Sequence, residues 1–210
     1  VRRYDLESRV AELARRLDIP VVTSFMGRGL LAHANVPLVG TYIGLAGDSS
    51  VSAHVEGSDA LLLLGVIVCD TNFAVSSKRI DLRNAMQVFD GDVVMGHHVY
   101  HELPIAALIE AMLARVKPID SGLPAGSPPA RSIAASPASN AAPVSPHHIV
   151  TAVNALLSEH GPMPLASDVG DCLFTAMEIE NASLVAPGYY ATMGYGVPAG
   201  LGLQVATGQR

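Results

Sequence analysis

Three histidines crowd the stretch His97-His98-Val99-Tyr100-His101. Imidazole is the side chain most able to bind a metal or move a proton near neutral pH. His97 and His101 stand four positions apart, the spacing at which a helix presents two zinc ligands on one face. The residues before them, Val93-Val94-Met95-Gly96, have the pattern of a strand running into a loop, and no Cys, His or carboxylate partner stands nearby at a matching spacing. The three histidines are therefore read as structural. Asp90-Gly91-Asp92 is read likewise as a polar turn at a strand end.

The phosphate and acyl-transfer motifs fail on spacing. Gly194 and Gly196 are followed by Gly200, one position too late for a dinucleotide fingerprint, and no Walker lysine follows a glycine loop. Ser24 and Ser183 lack the glycine-flanked elbow of a nucleophilic serine. Nothing here supports nucleotide hydrolysis or acyl transfer.

Three other places combine reactive or unusual residues with a strand end. Asp70-Thr71-Asn72-Phe73 follows the most apolar run of the chain. Ligands gather outside the carboxyl ends of parallel strands, so this segment is either an ordinary Asp/Asn turn or a loop reaching a neighbouring active site. Val169-Gly170-Asp171-Cys172 runs from a strand into a helix start, where unpaired N–H groups face outward. Asp171 can cap that helix, contact a cofactor, or do both. Residues 188–196, GYYATMGYG, join backbone freedom to large side chains. Glycine admits close approach to the backbone, and methionine can fill an irregular gap under a ring.

The elements that must carry these residues alternate. Leu6, Val10, Leu13, Ala14 and Leu17 recur at helical spacing, with Asp5 as the expected cap and Pro20 as the stop. Val21-Val22-Thr23 is a short buried strand, Gly27-Arg28-Gly29 a turn, and Gly40, Gly44 and Gly47 dot a loop. Residues 51–55 predict a short helix capped by Ser49 or Ser50. Residues 59–68 are a continuous Leu/Val/Ile run, which suits a strand covered on both faces. Residues 85–89 and 93–95 add short strands, and 104–116 a helix with Leu103, Ala107, Leu108 and Leu113 as its apolar residues. This alternation predicts an α/β fold with a doubly wound, mostly parallel sheet. Residues 118–145 are rich in Pro, Ala, Ser and Gly and cannot bury a core, so they are expected to link two domains. A second α/β domain is expected to start at 146, with helices over 146–160, 172–179 and 196–206 and a strand over 163–169. The last helix, rich in small residues, is expected to be tightly packed.

Composition narrows the partners. The 210 residues are 50% hydrophobic but contain no Trp, so the core is built of Val, Leu, Ile and Ala. A net charge of −6 argues against nucleic acid or an anionic membrane surface as partner. Cys69 and Cys172 stand far apart, outside any CxxC pair, which fits a reduced cytoplasmic protein. No apolar run reaches the roughly 18 residues of a membrane span. The first residue is Val, and the chain stops just after an apolar Gly/Ala-rich segment, so a piece of a longer polypeptide is expected.

Taken together, several stretches resemble thiamine-diphosphate-dependent 2-oxo-acid decarboxylases, nearest to the phenylpyruvate/indolepyruvate group. Residues 19–29 (IPVVTSFMGRG), Gly40-Thr41-Tyr42-Ile43-Gly44 and residues 59–70 resemble the middle domain of that family. Asp168-Val169-Gly170-Asp171-Cys172-Leu173-Phe174 and residues 186–200 resemble the start of its diphosphate domain. The resemblance implies a Rossmann-like middle domain over 1–117, a linker over 118–145, and the start of the cofactor domain over 146–210. It implies that the carbonyl of Ala191 accepts from the aminopyrimidine amine. It also implies that Met193 wedges the cofactor into its bent shape, with Asp171 and Cys172 as neighbours. Asp70, Thr71 and Phe73 would line the pocket for the 2-oxo acid. The resemblance implies that the family's catalytic Glu and His lie in an N-terminal domain and its Gly-Asp-Gly metal motif for Mg2+ beyond Arg210; Asp90-Gly91-Asp92 has the reverse order. No decarboxylase activity is thus expected of these 210 residues alone. The resemblance further implies a homotetramer built as a dimer of dimers. An acetolactate-synthase-like carboligase, or a non-catalytic nucleotide-binding module, are the competing readings.

Overall fold

A computed structural model of the chain describes residues 1–31, 34–73, 79–89, 91–119, 143–179, 183–188 and 190–208, with Asp70 and Thr71 described through their backbone alone. The expected linker falls almost wholly outside the described residues, as do Asp90 and Tyr189. The chain divides into two compact units, Val1–Ala130 and Arg131–Arg210.

The first unit opens with helix α1 (Glu7–Leu17), which buries Val10, Ala11, Leu13 and Ala14. Asp5 does not cap it. Asp5 sits at φ 53°, and Leu6 takes the capping position without a side-chain bond. The helix stops earlier than Pro20 requires. Asp18 turns left-handed at φ 49°, and its N–H reaches back to Ala14 and Arg15 carbonyls. Strand β1 (Val21–Ser24) then pairs in parallel with β2 (Leu38–Tyr42), a strand where the glycines led us to expect a loop. Gly40 is there for space: a Cβ at this position would fall 2.8 Å from Val51 Cγ2, so its absence lets helix α2 (Ser49–Glu56) lie on the strand. Asp48, rather than a serine, caps α2 by accepting from the Ser50 N–H at 2.8 Å.

Strand β3 (Leu61–Leu64) occupies only the first part of the apolar run. After a single helical turn, α3 (Asp70–Phe73), come β4 (Ala85–Val88), β5 (Val93–Met95) and β6 (His98–Tyr100). β3 and β4 are parallel, whereas β4, β5 and β6 form an antiparallel meander. Helix α4 (Ile105–Arg115) closes the unit. Its buried residues are Ile105, Ile109 and Leu113; of the apolar residues expected there, Leu113 is buried and Leu103 and Leu108 pack partly buried against the same core.

Two cores lie on opposite faces of these strands, because successive strand residues point to opposite sides. Val21, Leu62 and Leu64 pack with the core of α1, α4, Val88 and Val93, while Val22 and Leu61 pack with Val39, Tyr42, Val51, Phe73 and Ile80. Both faces are thus covered, as the α/β expectation requires. At the edge of α1, Arg9 bridges Glu12 and Glu110, tying α1 to α4.

The second unit begins with helix α5 (Pro146–His160). Ser145 caps it, Pro146 fills its first position, and the His148 ring completes the cap by accepting from the Ser145 N–H at 3.1 Å. Strands β7 (Leu165–Ala166) and β8 (Leu184–Val185) pair in parallel. Helices α6 (Asp171–Ala176) and α7 (Gly196–Thr207) each follow one of them. The expected tight packing of α7 is not found: none of its side chains is buried, and Val197, Leu201 and Val205 form an exposed apolar stripe. Its small residues instead bring the backbone close to the β7 end, where a Cβ on Gly200 would meet Ala166.

Among the described residues no helix is long and apolar enough to cross a membrane.

Candidate cofactor site

The ends of β7 and β8 are where the second unit's unusual residues meet. The chain leaves β7 through Ser167, Asp168, Val169 and Gly170 into α6, and leaves β8 through residues 186–195 into α7. One side chain ties these exits together. Asp168 Oδ1 accepts from the Val169 N–H at 2.8 Å and the Gly194 N–H at 3.2 Å, and Oδ2 accepts from the Gly196 N–H at 2.9 Å. These amides, Gly196 first and Val169 next, hold the Asp168 carboxyl below the usual carboxylate range.

The segment it anchors carries Ala191 and Met193. Ala191 is left-handed at φ 48°, a region that a residue with a Cβ seldom occupies. Its own N–H donates to the Gly188 carbonyl at 3.3 Å. Met193 is 86% exposed. A strained backbone and an uncovered thioether side by side fit a flat, partly apolar ligand lying over the segment.

Asp171 and Cys172 lie close by in chain but do less than expected. Gly170 takes the capping position of α6, and Asp171 makes no side-chain cap bond. It is an exposed acid in the first helical turn, where it complements the helix dipole. Cys172 is an exposed free thiol that donates to the Val169 carbonyl at 2.9 Å.

In the first unit, the expected loop is corrected. Asp70–Phe73 is the helical turn α3, and Phe73 is 3% exposed, edge-on to Tyr42 with ring centroids 5.7 Å apart. Its ring is spent on the core, because the turn rotates it inward. Burial, reinforced by a bond from the hydroxyl to Glu56, pushes the Tyr42 phenol up to about 12.

Asn72, which the sequence reading passed over, holds α3 in place. Its side-chain oxygen accepts from the Met26 N–H at 3.1 Å and its amide donates to the Ile67 carbonyl at 2.8 Å, with the residue 2% exposed. Asn72→Ala takes the side-chain partner from both part-buried backbone groups, so we expect a loss of about 1–3 kcal/mol in urea unfolding. A loss below about 1 kcal/mol would show that these bonds contribute little. Arg28 is buried, and desolvation pulls its guanidinium down to about 10.

The histidine cluster lies on the β5–β6 hairpin. His97 and His98 are exposed, and His101 Nδ1 lies 3.0 Å from Asp92 Oδ1. Among the described residues, no three His, Cys, Asp or Glu side chains converge as metal ligands do.

Comparison with known proteins fits this architecture. The thiamine pyrophosphate enzyme central domain matches residues 1–116, and the chain belongs to that family. It is 50% identical over 209 residues to an indole-3-pyruvate decarboxylase of Azospirillum brasilense, covering 99% of this chain and 38% of that protein. A pyruvate decarboxylase of Candida albicans is 24% identical over 55% of the chain and 20% of its own length. An alpha-keto-acid decarboxylase of Mycobacterium tuberculosis is 27% identical over 45% of the chain and 17% of its own length. The chain therefore spans well under half the length of each of these relatives.

Asp168 is the site residue that sequence reasoning missed. It stood within a stretch quoted for its resemblance but was given no role. The available signal was an aspartate at a strand end together with two glycines, Gly194 and Gly196, whose amides no side chain shields.

Proposed function

We propose that the chain is part of a thiamine-diphosphate- and Mg2+-dependent, non-oxidative 2-oxo-acid decarboxylase that converts indolepyruvate or phenylpyruvate to the aldehyde one carbon shorter and CO2. The observation that carries this reading is the 50% identity to an indole-3-pyruvate decarboxylase, which runs through both units rather than the central domain alone. The anchored segment at the β8 exit supports it independently, since the exposed backbone of Ala191 and the exposed apolar side chain of Met193 are open to a ring.

In this reading residues 1–117 are the middle domain, 118–145 the linker and 146–210 the start of the cofactor domain. The Ala191 carbonyl orients the aminopyrimidine by accepting from its exocyclic amine. Met193 supports the bent cofactor from below and excludes water from that face. Asp171 and Cys172 border the same end of β7. Asp70 and Thr71 belong to the segment expected to line the pocket for the 2-oxo acid. Bound thiamine diphosphate supplies the electron sink for the pair released as CO2 leaves. The protein acts as a cytoplasmic homo-oligomer, a dimer of dimers.

Product analysis on the full-length protein tests this. Indolepyruvate incubated with thiamine diphosphate and Mg2+ should yield the aldehyde and CO2 in equal amounts. Acyloin or acetolactate formed in place of aldehyde would replace the decarboxylase reading with a carboligase.

A further inference from the structure

The segment proposed to receive the cofactor has no covering layer of its own to hold its shape. Met193 is 86% exposed, and neither Ala191 nor Thr192 is buried. Yet the segment holds a left-handed alanine, which needs support from fixed neighbours. That support comes from two anchors. At one end the Ala191 N–H bonds back to the Gly188 carbonyl. At the other, the Asp168 carboxylate takes the Gly194 amide on one oxygen and the Gly196 amide on the other.

We propose that Asp168 is a positioning residue for the cofactor: its carboxylate clasp on Gly194 and Gly196 presets Ala191 and Met193 before the cofactor arrives. The inference rests on the cofactor reading above. The geometry makes the clasp selective. Each carboxylate oxygen has its own amide, and Oδ1 takes the Val169 N–H as well, so the group fixes its own rotamer while reaching across to the other strand exit. Charge-assisted bonds of this kind are among the stronger ones proteins make. The clasp also explains Gly196. A Cβ there would lie 3.2 Å from the Asp168 N and 3.4 Å from its Oδ2, so a side chain would crowd the clasp by a few tenths of an ångström. Gly194, at φ 86°, supplies the turn that aims its N–H at Oδ1.

A residue that presets a binding surface changes affinity, because an unanchored segment must be ordered by the ligand itself. Asp168→Asn keeps the shape but removes one acceptor, and it turns an NH2 toward a backbone N–H. Gly196→Ala keeps the carboxylate and crowds it. The test is a titration of the cofactor-free, full-length protein with thiamine diphosphate and Mg2+, alongside amide hydrogen exchange across residues 190–196. Asp168→Asn should raise the Kd about tenfold, and Gly196→Ala about threefold, each with faster exchange in that segment before cofactor is added. If Asp168→Asn does not fold, Gly196→Ala decides. Wild-type Kd and wild-type exchange in the folded variants would overturn the clasp and leave the cofactor reading standing. A wild-type protein that binds no thiamine diphosphate would overturn both.

Discussion

Met193→Ala weakens thiamine diphosphate binding by tenfold or more and leaves the Tm of the cofactor-free protein almost unchanged. The two halves of this expectation have one cause. Met193 is 86% exposed, so truncating it removes almost no contact from the folded chain. Surface changes of that kind shift stability by roughly 0.5 kcal/mol or less. A cofactor ring lying on the thioether would bury it, and full burial of such a side chain is worth about 1.5–3 kcal/mol. That range corresponds to a tenfold to hundredfold change in Kd. Calorimetric titration reads the affinity, and a thermal melt of the same sample reads the control. A wild-type Kd would mean that Met193 supports no ring. A large fall in Tm would mean that Met193 packs within the folded chain.

The largest effect on stability belongs to Ile109. It is fully buried on α4 and packs in one cluster with Leu6, Val10, Leu13, Val88, Val93 and Leu113. This cluster joins α1, α4 and two strands, so a cavity there cannot close by moving a single loop. Ile109→Ala should cost about 3–5 kcal/mol, the transfer of the lost methyl groups plus the void they leave. Ile109→Val removes one methylene and should cost about 1 kcal/mol. Urea unfolding of both variants measures the pair. Equal, small losses would place α4 with a different face inward.

That face is a fair measure of what the sequence conveyed. Helix α4 was legible in extent, because Pro104 marks its start and the apolar content is high. Its phase was legible only at Leu113, because Leu103, Ala107 and Leu108 compete with the apolar Ile105 and Ile109, and packing against α1, β4 and β5 chooses between them. The helix α5 was readable to the residue, since Ser145-Pro146 and Gly161 punctuate it. Strand β2 was hidden by Gly40, whose missing side chain serves the helix above it rather than a turn. Strand β6 was hidden by His98, with His97 and His101 on either side of the strand, since histidine is a poor strand signal; the strand lies exposed at the sheet edge.

The candidate site was legible in place but not in wiring. Strand ends followed by Gly-Asp or by a glycine-dotted aromatic run mark where a ligand gathers in such folds. The inward turn of Phe73 was not legible, because an aromatic after a strand reads equally as pocket or core. Nor was the reach of Asp168, whose partners lie 26 and 28 residues away in sequence. Side chains that bond to distant backbone leave no periodic trace in a sequence.

The central claim, that this chain serves a thiamine-diphosphate-dependent decarboxylase of aryl 2-oxo acids, is tested most directly by one assay. The full-length protein is stripped of cofactor and metal, and aldehyde release from indolepyruvate is followed as thiamine diphosphate and Mg2+ are restored. The account predicts no aldehyde from the stripped protein, release that saturates with added thiamine diphosphate, and faster turnover of indolepyruvate or phenylpyruvate than of pyruvate. Aldehyde release that ignores thiamine diphosphate, or none at any cofactor concentration, would contradict it.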